Sequence, residues 1–273
     1  MQKSLLLTAT IFLAFTHGAS HAASGSDSKF EINPVVIDSK NGTGSTVGIE
    51  YKVKGDLLSK SFDSKDSGGS LDPSATIGSA VIGYSANGTV AASKERNPKN
   101  FLEFQLDAKL RHSDSGKGTL LGGFFAKYET NQSFDNKQLV YGVGGTYGKY
   151  AAFAENDFIA FDANYGRVDP KDDAERKQAL GGASLDPYYR WNLEFLYMIP
   201  IQSAAVKSLE FNYRYFKENS APTAIKNAAL DEHQLATIRI GLKNDLFLAY
   251  SAGKLPFDRK NDQIFQIGFS YKF

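Results

Sequence analysis

Arg190, Asn192 and Glu194 alternate with Tyr189, Trp191 and Leu193, and Glu210, Asn212 and Arg214 alternate with Leu209, Phe211 and Tyr213. A period of two places the charged members on one face of a strand and the apolar members on the other. Rings of such charges around water sort solutes by sign and width, whereas the same charges interlocked would fill the space. Glu103, Gln105, Asp107, Lys109 and Arg111 repeat the pattern, as do Glu50, Lys52 and Lys54, and Arg239 stands between Ile238 and Ile240. The candidate lining set is therefore Arg190, Glu194, Glu210, Arg214, Arg239, Glu103 and Asp107, with Asp162 and Lys272 beside it. A turn centred near Gln202 sets Arg190 opposite Arg214 and Glu194 opposite Glu210, like charges that must find other partners. Arg239, across the 217–232 connection, is expected near Glu210. Small residues on the same face, Gly142, Gly144, Gly166, Ala249, Gly253 and Gly268, are expected to leave room for solute.

Catalytic chemistry has thinner support. His112, Ser113, Asp114 and Ser115 hold the residue types of a triad, but consecutive side chains in a tight turn point apart rather than converging. His233, with Asp231 and Glu232, is the better-placed histidine for hydrolysis of envelope lipid, yet no serine motif accompanies it. Ser115–Thr119 reads SGKGT, with Gly after Lys117 where a phosphate loop needs Ser or Thr. Gly142–Gly148 reads GVGGTYG, which lacks the final glycine of a dinucleotide fingerprint. Asp63, Asp66 and Asp72 do not have calcium-loop spacing, and no metal site or cofactor is expected.

The elements that must hold these residues are strands. Apolar rows recur at the length of about ten residues that a tilted membrane strand needs. They include Val47–Val53, Leu102–Leu110, Leu120–Tyr128, Leu139–Tyr147, Ile159–Tyr165, Tyr189–Ile199, Leu209–Tyr215, Ala236–Leu242 and Leu246–Tyr250. The last is Phe265, Ile267, Phe269, Tyr271 and Phe273; weaker segments span 30–37, interrupted by Pro34, and 77–86. The expected total is twelve, within bounds of ten and fourteen. An even number returns both ends to one side, and from residue 87 the connections alternate long and short. The connection 55–75 breaks that alternation by being long on the short side. GGSLDPS at 68–74 and GGASLDP at 181–187 share turn chemistry rather than a repeat, because the strands they precede run in opposite directions.

The remaining features set the compartment. Lys3, an apolar run from Leu5 to Phe15 and small residues at Ser20 and Ala22 form a secretory signal over 1–22, leaving a barrel over 23–273. Lys3 is the one charged residue of the leader, so the rest of the chain is formally neutral, which offers nothing to a nucleic acid. There is no Cys, as suits a periplasmic or outer-membrane protein, and no later apolar run is long enough for a spanning helix.

The signal, the absent cysteines, the amphipathic strands and the ending Phe269-Ser-Tyr271-Lys-Phe273 resemble Gram-negative outer-membrane β-barrel proteins as a class. The resemblance implies an all-β antiparallel transmembrane barrel in the cell outer membrane, contacting outer-membrane lipid. It also implies that Phe269, Tyr271 and Phe273 serve as a signal to the barrel-assembly machinery. The expected function is a small passive channel for an unnamed polar solute. A barrel enzyme acting on envelope lipid or lipopolysaccharide, and a closed structural or surface-interaction barrel, are the alternatives.

Overall fold

The computed structural model describes residues 29–40, 44–62, 77–114, 118–258 and 260–273. Its strands are β1 (Lys29–Ser39), β2 (Thr46–Phe62), β3 (Ile77–Ala91), β4 (Leu102–Asp114), β5 (Gly118–Thr130), β6 (Lys137–Tyr150) and β7 (Phe158–Asp172). There follow β8 (Tyr188–Pro200), β9 (Val206–Asn219), β10 (Glu232–Leu242), β11 (Leu246–Gly253), β12 (Asp262–Phe269) and β13 (Tyr271–Lys272). Two short helices, α1 (Ala174–Ala179) and α2 (Thr223–Asn227), lie in the connections after β7 and β9. Every strand pairs antiparallel with its neighbour in sequence, and β12 and β13 return to β1. β13 continues β12 past Ser270, so the sheet is a closed antiparallel barrel of twelve staves.

The break at Ser270 has a local cause in Pro34. The β1–β12 ladder runs from Ser39 to Val35 and resumes with β13 at Ile32, skipping Asn33 and Pro34, of which Pro34 has no N–H to donate. Ser270 N–H continues the β11–β12 ladder to the Asp245 carbonyl at 2.8 Å, and its hydroxyl donates to Glu31 at 2.9 Å.

Alternation along each strand separates two environments. Phe124 is 70% exposed, whereas Phe125, the next residue, is 4% exposed. Leu106, Leu110, Leu120, Val143, Trp191, Ile238, Phe265 and Phe273 are likewise exposed on the outside. An apolar coat of this extent would aggregate in water but suits hydrocarbon, where a closed sheet leaves no backbone group unpaired. Inside, the core is divided among small clusters. One joins Val35, Ile37, Phe247, Ala249 and Ile264 at the β1–β12 seam. Another joins Phe125, Val140 and Val168, with Tyr188 against it.

The connections fall into two ends. At the loop end lie 92–101, 131–136, 173–187, 220–231 and the described residues of 40–45 and 254–261. The described connections at the turn end are 151–157, 201–205 and 243–245. The turn 151–157 is held by Asp157, whose carboxylate accepts the N–H groups of Ala152, Phe153 and Ala154 at 2.6, 3.0 and 3.0 Å.

Several strands run longer than the sequence reading, β7 to Asp172 and β9 to Asn219 among them. β3 runs on to Ala91 rather than Ala86, and β2 extends to Phe62, past a bulge between Asp56 and Leu58. The anomalous connection 55–75 therefore shrinks to 63–76. That stretch lies outside the described residues, with Asp63, Asp66, Asp72, the 68–74 turn, residues 115–117 and the 1–22 signal.

The seam tolerates no side chain at Gly268. A Cβ there would lie 2.6 Å from the Pro34 carbonyl oxygen and 2.8 Å from Phe247 Cζ. Gly268→Val should lower stability by about 1–3 kcal/mol, seen as an earlier urea midpoint of the barrel in detergent micelles. An unchanged midpoint would show that the seam is loosely packed.

Candidate functional site

The barrel interior is partitioned. A cavity of about 780 Å³ opens at the turn end, and Glu103, Asp107, Glu194, Glu210, Arg214 and Arg239 line it. Towards the loop end is a much smaller space of about 30 Å³, lined by Arg190, Arg176, Glu218, Tyr188 and His233 among others. Between the two lie Phe101, Phe216, Leu235 and Leu255, all buried, with Phe257 packed against them. Arg190 thus stands apart from the six other candidate residues.

The loop half is filled by paired charges. Arg190 Nη2 donates to both oxygens of Glu129 at 2.6 and 2.8 Å, and Gln138 Nε2 donates to the same carboxylate at 2.6 Å. Arg176, carried on α1, forks onto Glu218 at 2.7 and 2.8 Å and lies 4.1 Å from the centre of the Tyr188 ring. Glu103 receives Lys127 at 3.4 Å and Arg214 at 3.5 Å. Arg214 also faces the Phe101 and Phe216 rings at 5.4 and 5.2 Å, so the aromatic partition and the ion pairs interlock.

Two loops close over this layer. Lys99, from the 92–101 loop, reaches into the lumen and donates to Gln266 Oε1 at 2.6 Å and Glu50 Oε1 at 3.3 Å. Its neighbour Asn100 donates its N–H to Asp258 Oδ1 at 3.1 Å, while Asp258 Oδ2 accepts the Leu255 N–H at 2.8 Å. One carboxylate therefore ties the 92–101 loop to the 254–261 loop. Burial raises the Asp258 carboxyl to about 7 and nearby Asp262 adds to the rise, although both N–H donors and Lys99 pull it down.

The register corrects the charge pattern read from sequence. Arg190 stands opposite Glu218, Glu194 opposite Arg214, and Met198 opposite Glu210. The β8–β9 turn is centred two residues later than Gln202, and the shift exchanges repulsive pairs for attractive ones. Glu210 does face Arg239 across β9–β10, as the connection suggested, but the Arg239 guanidinium crosses to Glu31 at 3.4 Å. The inner glycines leave less room than expected. Phe125 covers Gly166, Phe247 covers Gly268 and Asn164 covers Gly144, so these positions admit neighbouring side chains rather than solute.

His233 faces the small cavity opposite Phe216, while Asp231 is held by Lys217 at 2.7 Å. Among the described residues no serine or threonine hydroxyl bonds to His233, and no group of metal-binding side chains occurs. The Phe269, Tyr271 and Phe273 side chains are exposed on the outer face. Sequence reasoning missed Glu129, Glu218, Arg176, Lys99 and Asp258. The first two keep the inward phase of their strands, Glu129 with Lys127 and Glu218 with Glu210, Asn212 and Arg214, and could have been read as inward-facing; the other three lie outside the strands, where no period marks them.

No family model and no curated relative matches the chain. Similar solved structures include the NanC porin, at 9% identity and TM-score 0.48, covering 89% of this chain and 100% of that one. The KdgM porin has 9% identity and TM-score 0.39, with 88% and 99% covered. An outer membrane channel from Pseudomonas putida F1 has 10% identity and TM-score 0.41, with 92% and 96% covered. Likeness this slight does not bear on function.

The Arg190–Glu129 pair yields a stability test. Glu129→Leu strands a buried guanidinium and should cost about 3–5 kcal/mol, whereas Glu129→Leu with Arg190→Met should recover most of that loss. Urea midpoints of the two variants in micelles would check this.

Proposed function

We propose that the protein is a Gram-negative outer-membrane β-barrel that acts as a gated passive channel for small polar or charged solutes. The observation that carries this reading is the charge-lined cavity of about 780 Å³ inside a barrel coated with apolar side chains. The short turns would face the periplasm and the long loops the exterior, which makes the cavity a periplasmic vestibule. Glu194, Glu210, Arg214, Arg239, Glu103 and Asp107 would meet solute there. Arg190 would act in the gate, since its charge is spent on Glu129. Opening requires the Lys99 and Asp258 ties to part and the Phe101 partition to move with them.

A closed structural barrel is the second reading, favoured by the buried ion pairs that fill the loop half. The two differ in whether the loops ever release.

Asp258 gives that release a pH dependence. In the closed lid its carboxyl is raised to about 7. Exposed to water in an open lid, it would return to about 4. The closed lid therefore binds the proton more tightly, is favoured at low pH, and loses that advantage as pH rises from about 4 through 7. The loss amounts to about 4 kcal/mol over about three pH units. In planar bilayers, open probability should rise between about pH 5 and pH 8, and Asp258→Asn should flatten the response. Absence of discrete conductance at every pH from folded protein would leave the closed barrel standing.

A further inference from the structure

The inner wall where β13, β1 and β2 meet carries Lys272, Lys29, Lys52 and Lys54, all exposed and all lining the large cavity. Lys29 stands opposite Lys54 in the β1–β2 register, and Glu31 has Lys52 on one side and Lys272 on the other. Like charges opposed across a strand pair repel. The carboxylates nearby are already engaged. Glu31 holds Arg239 at 3.4 Å and the Ser270 hydroxyl at 2.9 Å, and Asp56 lies 3.6 Å from Arg111. Among the described residues, none of the four lysines comes within ion-pair distance of a carboxylate. Elsewhere the cations of this cavity are matched, as in Lys99–Glu50, Lys109–Asp107 and Lys207–Asp245. Unmatched positive charge is thus gathered on one patch at the turn-end mouth.

We propose that this lysine wall binds small multivalent oxyanions carrying phosphate or carboxylate groups, and that such anions are the class of solute the barrel passes. The second half rests on the channel reading; the binding site does not. An anion lodged between Lys29 and Lys54 removes their mutual repulsion. Ammonium groups are point charges on flexible stems, so they accept tetrahedral phosphate and planar carboxylate alike. Water in the mouth screens each contact, which gives the modest binding that a passage site needs if solute is to leave again.

The test is isothermal titration of the purified barrel in detergent micelles with pyrophosphate and with citrate. Wild type should bind at low salt, and Lys52→Gln with Lys54→Gln should weaken binding about tenfold, with both signals fading at about 0.5 M salt. Binding of only one anion would support the site and assign phosphate or carboxylate to it. Lys54→Gln should also raise the urea midpoint without anion, because it removes a repulsion, so the comparison does not depend on a variant that fails to fold. Wild type that binds neither anion, or a double variant that binds equally well, would overturn the proposal. Conductance without anion binding would sink the site and leave the channel. Anion binding without conductance would keep the site and refute the channel.

Discussion

Pairing of β1 with β12 is the constraint on which the rest depends. A sheet with an open edge cannot sit in hydrocarbon, because each unpaired backbone group costs several kcal/mol. Closure meets that demand and fixes what each side chain faces, since the period of two leaves only inside or outside. It holds even at Pro34, where the ladder skips two positions and resumes at Ile32.

Once the apolar residues are committed to the outside, the interior inherits the polar ones, and these must satisfy each other or water. The loop half takes the first course, and the turn half combines ion pairs with exposure to the cavity. Arg190, Glu129, Arg176 and Glu218 are nearly dry and pair at hydrogen-bond distances, with aromatic rings packed beside the guanidinium groups. Buried pairs of this kind add little net stability over apolar packing, but they fix one arrangement, because any other leaves a charge stranded. The lid rests on that fixed layer. Its own ties run through Lys99 and Asp258, and the proposed gate opens when they part.

Much of this was legible in the sequence. Rows such as Tyr189–Ile199 and Phe265–Phe273 gave the strands, their faces and their number, because lipid allows no exception to alternation over ten residues. The failures came where alternation carries no information. The β8–β9 register turned on where the turn between Pro200 and Val206 is centred, and a two-residue error there set Arg190 and Glu194 against like charges instead of Glu218 and Arg214. The glycines were read as empty space because a sequence cannot show that Phe125 and Phe247 reach across to cover them. The lid was invisible for the same reason. Lys99 and Asp258 are far apart in sequence and outside the strands, and only folding brings their loops together.

The central claim is that the lumen is a water-filled vestibule open at the turn end and shut at the loop end. The chain has no Cys, so a single introduced thiol reports its own surroundings without ambiguity. Asn212 lines the vestibule on β9. The decisive measurement is the labelling rate of Asn212→Cys by a charged, membrane-impermeant thiol reagent, added to one side at a time of oriented proteoliposomes at acidic pH. The account predicts rapid labelling from the turn side and slow labelling from the loop side. Equal rates from both sides would contradict the closed partition, and no labelling from either side would contradict the vestibule.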